Sequence, residues 1–148
     1  YKMYKKILVP LDGSKRAEAV LPHVQEIAYH TKAQVVFLQV IEHQYVFTDP
    51  HGYNYLGIEE ISNEAQIKQA ETYLAGIEGE FNDKNITAKS VVEVGSVAHS
   101  IIQVAKREKV DLIAMSSHGR TGLAHVFYGS VAASVLHLVD RPLLLVRA

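Results

Sequence analysis

Two stretches of this chain carry residues whose types and spacing suit phosphate and hydroxyl chemistry. The first is Asp12-Gly13-Ser14, directly after the apolar run Ile7-Leu8-Val9-Pro10-Leu11. The second is Met115-Ser116-Ser117-His118-Gly119, followed by the nine residues Arg120 to Tyr128 and then Gly129-Ser130. Asp12 is a carboxylate able to accept hydrogen bonds from a ribose hydroxyl or an adenine amino group. Glycines let a backbone approach a ligand closely. Gly129-Ser130 reads as a helix start, where free N–H groups and a partial positive charge suit a phosphate. Together these groups would hold a nucleotide. Each also has a plainer reading. Asp12-Gly13-Ser14 can be only a turn and N-cap, and Gly129-Ser130 only a helix start. His118 and Arg120 can be solvated loop residues, although arginine is a natural phosphate partner.

The usual catalytic signatures are missing. There is no G-x-x-x-x-G-K-[ST] loop, which argues against P-loop ATPase chemistry. No G-x-G-x-x-G follows the first apolar run, and no G-x-S-x-G elbow exists. The eight histidines show no H-x-x-x-H or H-E-x-x-H pairing, so a structural or surface role is favoured over a metal site.

These groups need elements to position them. Ile7–Leu11 reads as a buried strand that stops at Asp12-Gly13. Ser14 is a suitable cap for a helix whose apolar face is Ala17, Val20, Leu21, Val24, Ile27 and Ala28. Pro22 falls inside that helix and is expected to cost a hydrogen bond and bend it. Gln34–Ile41 is a second strand, rich in β-branched residues and buried on both faces. Residues 42–61 hold Tyr45, Phe47, Tyr53 and Tyr55 without a clean period. A connection this long is usually functional or mobile. It could close as a lid, but packing on the domain's own surface or on a second copy is preferred.

Ile67, Ala70, Leu74, Ile77 and Phe81 then mark an amphipathic helix. Ile86–Val94 is a third strand, broken by Gly95-Ser96. Val97, Ile101, Ile102 and Ala105 mark a third helix. Val110–Met115 is a fourth strand, Val131, Val135 and Leu138 mark a fourth helix, and Leu143–Val146 is a fifth strand. This β-α-β-α-β-α-β-α-β order predicts an α/β fold. Its open, five-stranded parallel sheet would carry helices on both faces, making three α/β/α layers. Ligands in such sheets bind beyond the carboxyl ends of the strands, where the strand order reverses.

Composition sets the limits. The 148 residues suit one domain, 1–148, with 48% hydrophobic and 21% charged residues. A formal charge of -1 argues against charge-driven binding to nucleic acid or an anionic membrane. The absence of cysteine excludes disulfides, zinc-thiolate sites and cysteine nucleophiles, and fits a reducing, cytoplasmic setting. No apolar run approaches the roughly 20 residues of a membrane span. No signal-peptide pattern is seen, and Met3 is the candidate native start.

The chain resembles the universal stress protein family over almost its whole length. Ile7-Leu8-Val9-Pro10-Leu11-Asp12-Gly13-Ser14 is similar to the family's opening strand and turn. Ser116 to Ala132 is similar to its nucleotide motif of G-x-x-G, nine residues, and G-[ST]. Ser116 stands where that motif has its first glycine. Arg141-Pro142-Leu143-Leu144-Leu145-Val146 is similar to the family's last strand.

The resemblance implies a Rossmann-like fold of the adenine nucleotide alpha hydrolase-like type. It implies that Pro10, Leu11, Asp12 and Val40 line the adenine and ribose. Met115, Ser116, Ser117, His118, Gly119 and Arg120 would pass beside the ribose and phosphates, and Gly129, Ser130 and Val131 would hold the phosphates. The implied ligand is ATP, or AMP or ADP, with Mg²⁺ or Mn²⁺. The implied assembly is a homodimer pairing Leu143, Leu144, Leu145 and Val146 across a two-fold axis, in a stress-response role.

Two other readings stay open. One is a slow ATPase or autophosphorylating protein, against which stands the lack of a second carboxylate in the phosphate segments. The other is a dimeric interaction protein that binds no nucleotide.

Overall fold

The computed structural model describes residues 3–49, 52, 57–118 and 129–148. Gly119, Arg120, Tyr53 and Tyr55 lie outside the described residues. Five strands form one parallel sheet: β1 (Lys6–Pro10), β2 (Gln34–Ile41), β5 (Ala88–Val94), β6 (Leu112–Ser116) and β7 (Leu143–Val146). Their order is β5-β2-β1-β6-β7, so the direction of winding reverses between β1 and β6.

Alternation along each strand divides the apolar residues between two cores. Ile7, Val9, Val35 and Phe37 face one side, where α1 (Leu21–Thr31) and α2 (Glu64–Asp83) cover them with Val24, Ala28, Leu74 and Phe81. Leu8, Val36, Leu38 and Ile113 face the other, under α3 (Val97–Arg107) and α4 (Ser130–Leu138). The fold is therefore the three-layer, doubly wound, Rossmann-like α/β arrangement. β2 spans the same residues as its predicted strand, and so does β7.

Three local expectations change. The helix predicted to run from Ser14 through Pro22 is split. A 3-10 turn occupies Ala17–Val20, and α1 begins at Leu21. Pro22 is the second helical residue, where an N–H would have no intrahelical partner, so its missing donor costs nothing there. The helix is unbroken from that point. Ser14 still takes up a backbone donor, its Oγ accepting the Ala17 N–H at 3.1 Å.

The second change is the connection at 42–61. It holds a two-stranded antiparallel hairpin, β3 (Gln44–Thr48) with β4 (Gly57–Ile61), separate from the main sheet. Tyr45 and Phe47 are 58% and 74% exposed, so these two aromatics are not packed onto the domain surface. The sequence shows no alternation at 44–47 because both faces of the strand are exposed there. Third, β6 begins two residues later than predicted and ends one residue later, on Ser116, which is buried.

Candidate functional site

A cavity of about 410 Å³ opens at the carboxyl ends of β1, β2 and β6, across the point where the winding reverses. β1 delivers Pro10, and the chain beyond it delivers Leu11 and Asp12. The Leu11 N–H still donates to Leu38 O at 2.8 Å, which holds this exit against β2. Gly13 then turns with a φ of 86°, a conformation that favours glycine. The turn fixes Asp12, whose Oδ1 accepts the Ser14 N–H at 2.9 Å and the Ser14 hydroxyl at 2.6 Å. Behind it, the Tyr73 hydroxyl donates to Glu18 Oε2 at 3.0 Å. Burial, then that hydrogen bond, pushes the Tyr73 phenol above its usual range, with the Asp12 charge adding to the shift. Tyr73 is therefore a neutral donor at physiological pH.

β6 supplies the opposite wall with Met115 and Ser116, continued by Ser117 and His118. Ser116 is absent from the residues with positive φ, so this position does not need a glycine's freedom. Its side chain lies on the α1/α2 face by alternation, and its Oγ is buried without a hydrogen-bond partner among the described residues. Ser117 and His118 are also buried, with Ser117 Oγ 3.0 Å from His118 Nδ1. The Ser117 N–H donates to Val146 O at 2.7 Å, which ties this segment to β7.

α4 closes the cavity with Gly129, Ser130, Val131 and Ala132. Gly129 caps the helix, and the first intrahelical bond runs from the Ala133 N–H to Gly129 O. The N–H groups of Ser130, Val131 and Ala132 therefore precede the helical ladder and sit at the positive end of the helix dipole. The Gly129 N–H itself is engaged, donating to Ser117 O at 2.8 Å. A Cβ on residue 129 would stand 3.1 Å from that same carbonyl oxygen, tighter than ordinary contact, so a glycine lets the two backbone segments lie this close without a shift.

Among the described residues, Pro10, Leu11, Asp12, Val40, Met115, Ser116, Ser117, His118, Gly129, Ser130 and Val131 all line this one cavity. Gly95-Ser96, which follows β5, does not line it. The Gly95 N–H donates to Ile41 O, and Ser96 caps α3. Sequence reasoning missed Gln39, Glu42, Gln44 and Gln66, which line the cavity from β2, the chain just beyond it, β3 and α2. Gln39 had a signal, being a polar residue inside the apolar run of β2. Gln66 had none, because polar residues are ordinary on the exposed face of a helix. The cavity's carboxylates among the described residues, Asp12 and Glu42, both come from the β1–β2 side. No cluster of three metal-ligating side chains is found among the described residues.

Comparison with known proteins agrees with this architecture. The chain matches the Universal stress protein family over residues 3–147. The universal stress protein MJ0577 of Methanocaldococcus jannaschii is 33% identical, with 98% of this chain and 96% of that protein aligned. Its solved structure superposes with a TM-score of 0.80 at 28% identity, covering 99% of this chain and 97% of that one. Universal stress protein YxiE of Bacillus subtilis is 32% identical over 98% of this chain and 100% of its own length. A universal stress protein from Archaeoglobus fulgidus, solved in complex with dAMP, shares the fold with a TM-score of 0.69 at 18% identity, covering 97% of this chain and 98% of that one.

Proposed function

The chain belongs to the universal stress protein family, and from that premise we propose that it binds ATP or a related adenine nucleotide as a regulatory module of the stress response. The observation that carries this reading is the start of α4, where three N–H groups outside the helical ladder border a cavity of about 410 Å³. That volume falls in the range of small-molecule sites, and a helix N-terminus favours an anion. The dAMP complex of the Archaeoglobus protein lends further support.

In this reading Ser130, Val131 and Ala132 offer backbone N–H groups to the phosphates, with the Ser130 hydroxyl beside them. Gly129 serves by letting the helix start lie against Ser117. Asp12, held by its bonds to Ser14, accepts from a ribose hydroxyl. Gly119 and Arg120 complete the phosphate segment as the family resemblance implies. A Mg²⁺ or Mn²⁺ ion would ride on the phosphate oxygens and keep most of its waters, which needs no dedicated cage of side chains. Both cavity carboxylates lie on the side away from α4, so no carboxylate base stands at the phosphate end among the described residues. Binding and regulation are favoured over efficient hydrolysis.

The proposed assembly is a pair of chains joined through β7. β7 is an outer strand of the sheet, and Leu143, Leu144, Leu145 and Val146 are each only partly buried. An apolar edge of this kind calls for a partner.

Isothermal titration with ATP, ADP and AMP tests the binding. Saturable heat with one nucleotide per chain is expected. No heat at millimolar ATP, from protein that still melts cooperatively, overturns the reading.

A further inference from the structure

The turn that presents Asp12 to the cavity is also held from outside the cavity. Asp12 Oδ1 accepts both Ser14 donors, and Ser14 O accepts the Glu18 N–H at 3.3 Å. Ser14 Oγ accepts the N–H of Ala17, which lines the cavity. The stretch from Asp12 to Glu18 is therefore one closed hydrogen-bonded unit, and what holds Glu18 also bears on Asp12.

Tyr73, 55 residues beyond Glu18 and on α2, ties this unit to a second element. Its hydroxyl donates to Glu18 Oε2 at 3.0 Å, while Lys15 Nζ lies 3.7 Å from Glu18 Oε1. The Lys15 side chain is 94% exposed, so solvent screens its pull. The Tyr73 bond is sheltered and charge-assisted, the stronger kind. It is also aimed from a fixed element, because the adjacent Leu74 is fully buried in the core under α2. Glu18 and Asp12 are like charges on one turn, and both bear on the Tyr73 phenol. A neutral donor on the α2 side takes up the Glu18 charge and leaves the Ser14 donors to Asp12.

We infer that Tyr73 is a positioning residue for the Asp12 carboxylate, acting through Glu18, and so sets the preference of the site for a nucleotide that carries ribose hydroxyls. Tyr73 does not itself line the cavity. Its hydroxyl keeps the turn ordered before the ligand arrives. A loosened turn has to be ordered on binding, which lowers affinity for any ligand that uses Asp12. A ligand that does not use Asp12 is indifferent to the loss. This inference rests on the nucleotide reading above and adds to it a residue outside the cavity that governs ribose recognition.

Titration of the full chain with ATP and with dideoxy-ATP, which lacks both ribose hydroxyls, reads this directly. The parent protein is expected to bind ATP about fivefold or more tightly than the dideoxy nucleotide, the effect of one hydrogen bond lost. Tyr73→Phe keeps the ring and removes only the hydroxyl. It lowers ATP affinity about threefold or more and leaves dideoxy-ATP affinity unchanged. Glu18→Ala does the same, and the two changes combined cost no more than either alone. Glu18→Gln keeps an acceptor for the Tyr73 hydroxyl and keeps the ATP preference. Melting curves matched to the parent protein establish that each variant is folded, and Glu18→Ala carries the test if the phenylalanine variant is not. An equal loss for both nucleotides in Tyr73→Phe overturns the inference, because the bond then supports the cavity as a whole rather than Asp12. So does an ATP affinity unchanged in both Tyr73→Phe and Glu18→Ala. Equal affinities for the two nucleotides in the parent protein overturn it and leave the nucleotide reading standing. Failure of both nucleotides to bind overturns the two together.

Discussion

Gly129 is the residue whose role is most altered by its surroundings. Its φ of -66° is one that any residue adopts, so conformational freedom is not the reason for a glycine. The reason is the Ser117 carbonyl oxygen, which a Cβ would meet at 3.1 Å while the Gly129 N–H is bonded to that oxygen. Gly129→Ala is therefore expected to push α4 away from the end of β6. Thermal or urea denaturation should show a loss of about 1 kcal/mol, the scale of mild overpacking. Nucleotide affinity should fall by more than in Ser130→Ala, because the alanine at 129 moves three N–H groups and the alanine at 130 removes one hydroxyl. An unchanged melting temperature and affinity in Gly129→Ala would contradict this account. Ser116 teaches the converse. It replaces a family glycine at no backbone cost, because the position is extended strand.

At the scale of elements, the proposed pairing of two chains turns on the outer edge of β7. The bonds from the Ile113 N–H to Pro142 O and from the Ser117 N–H to Val146 O fix which side of β7 faces β6. Period-two alternation then turns the N–H groups of Leu143 and Leu145 outward. A proline at 145 removes an outward donor without touching the β6 ladder, as edge strands tolerate. Leu145→Pro is expected to convert a dimer to a folded monomer, read by light scattering on a sizing column. A dimer that persists with the proline in place would exclude pairing through this edge. The β3–β4 hairpin is the element that sequence patterning could not reveal. Tyr45, Val46 and Phe47 favour strand individually, but exposed on both faces they have no core side to impose an alternating pattern.

For the whole molecule, the amino ends of the strands hold a charge cluster opposite the cavity. Glu108, just after α3, lies 2.7 Å from Lys89 on β5 and 3.6 Å from Lys6 on β1, spanning β2 between them. The Lys89 hydrogen bond, reinforced by the charges of Lys89 and Lys6, holds the Glu108 carboxyl below its ordinary range. A carboxyl depressed in the folded state adds stability above its unfolded pKa, near 4.3, and loses it as pH falls through the folded value. Glu108→Gln should therefore cost about 0.5 kcal/mol at pH 7, a figure reduced by solvent screening of the two lysines. The gap between the two proteins should close in acid, as followed by urea midpoints across pH. A gap of constant size from pH 7 to pH 3 would assign the effect to packing rather than charge.

The sequence by itself determined the layered fold. Runs such as Gln34–Ile41 are buried on both faces only in the middle of a parallel sheet, and helical periods between them leave one arrangement that covers both faces. It also determined which strand ends carry Asp12 and Met115 and that Ser130 opens a helix, because both follow from chain direction. Tertiary structure alone decided that Pro22 opens a helix rather than breaking one, and that Gly129 answers to a carbonyl oxygen. It alone brought Gln39 and Gln66 to one cavity. Local spacing reports what neighbours along the chain require, whereas a buried acceptor without a donor exists only once distant segments have closed around it.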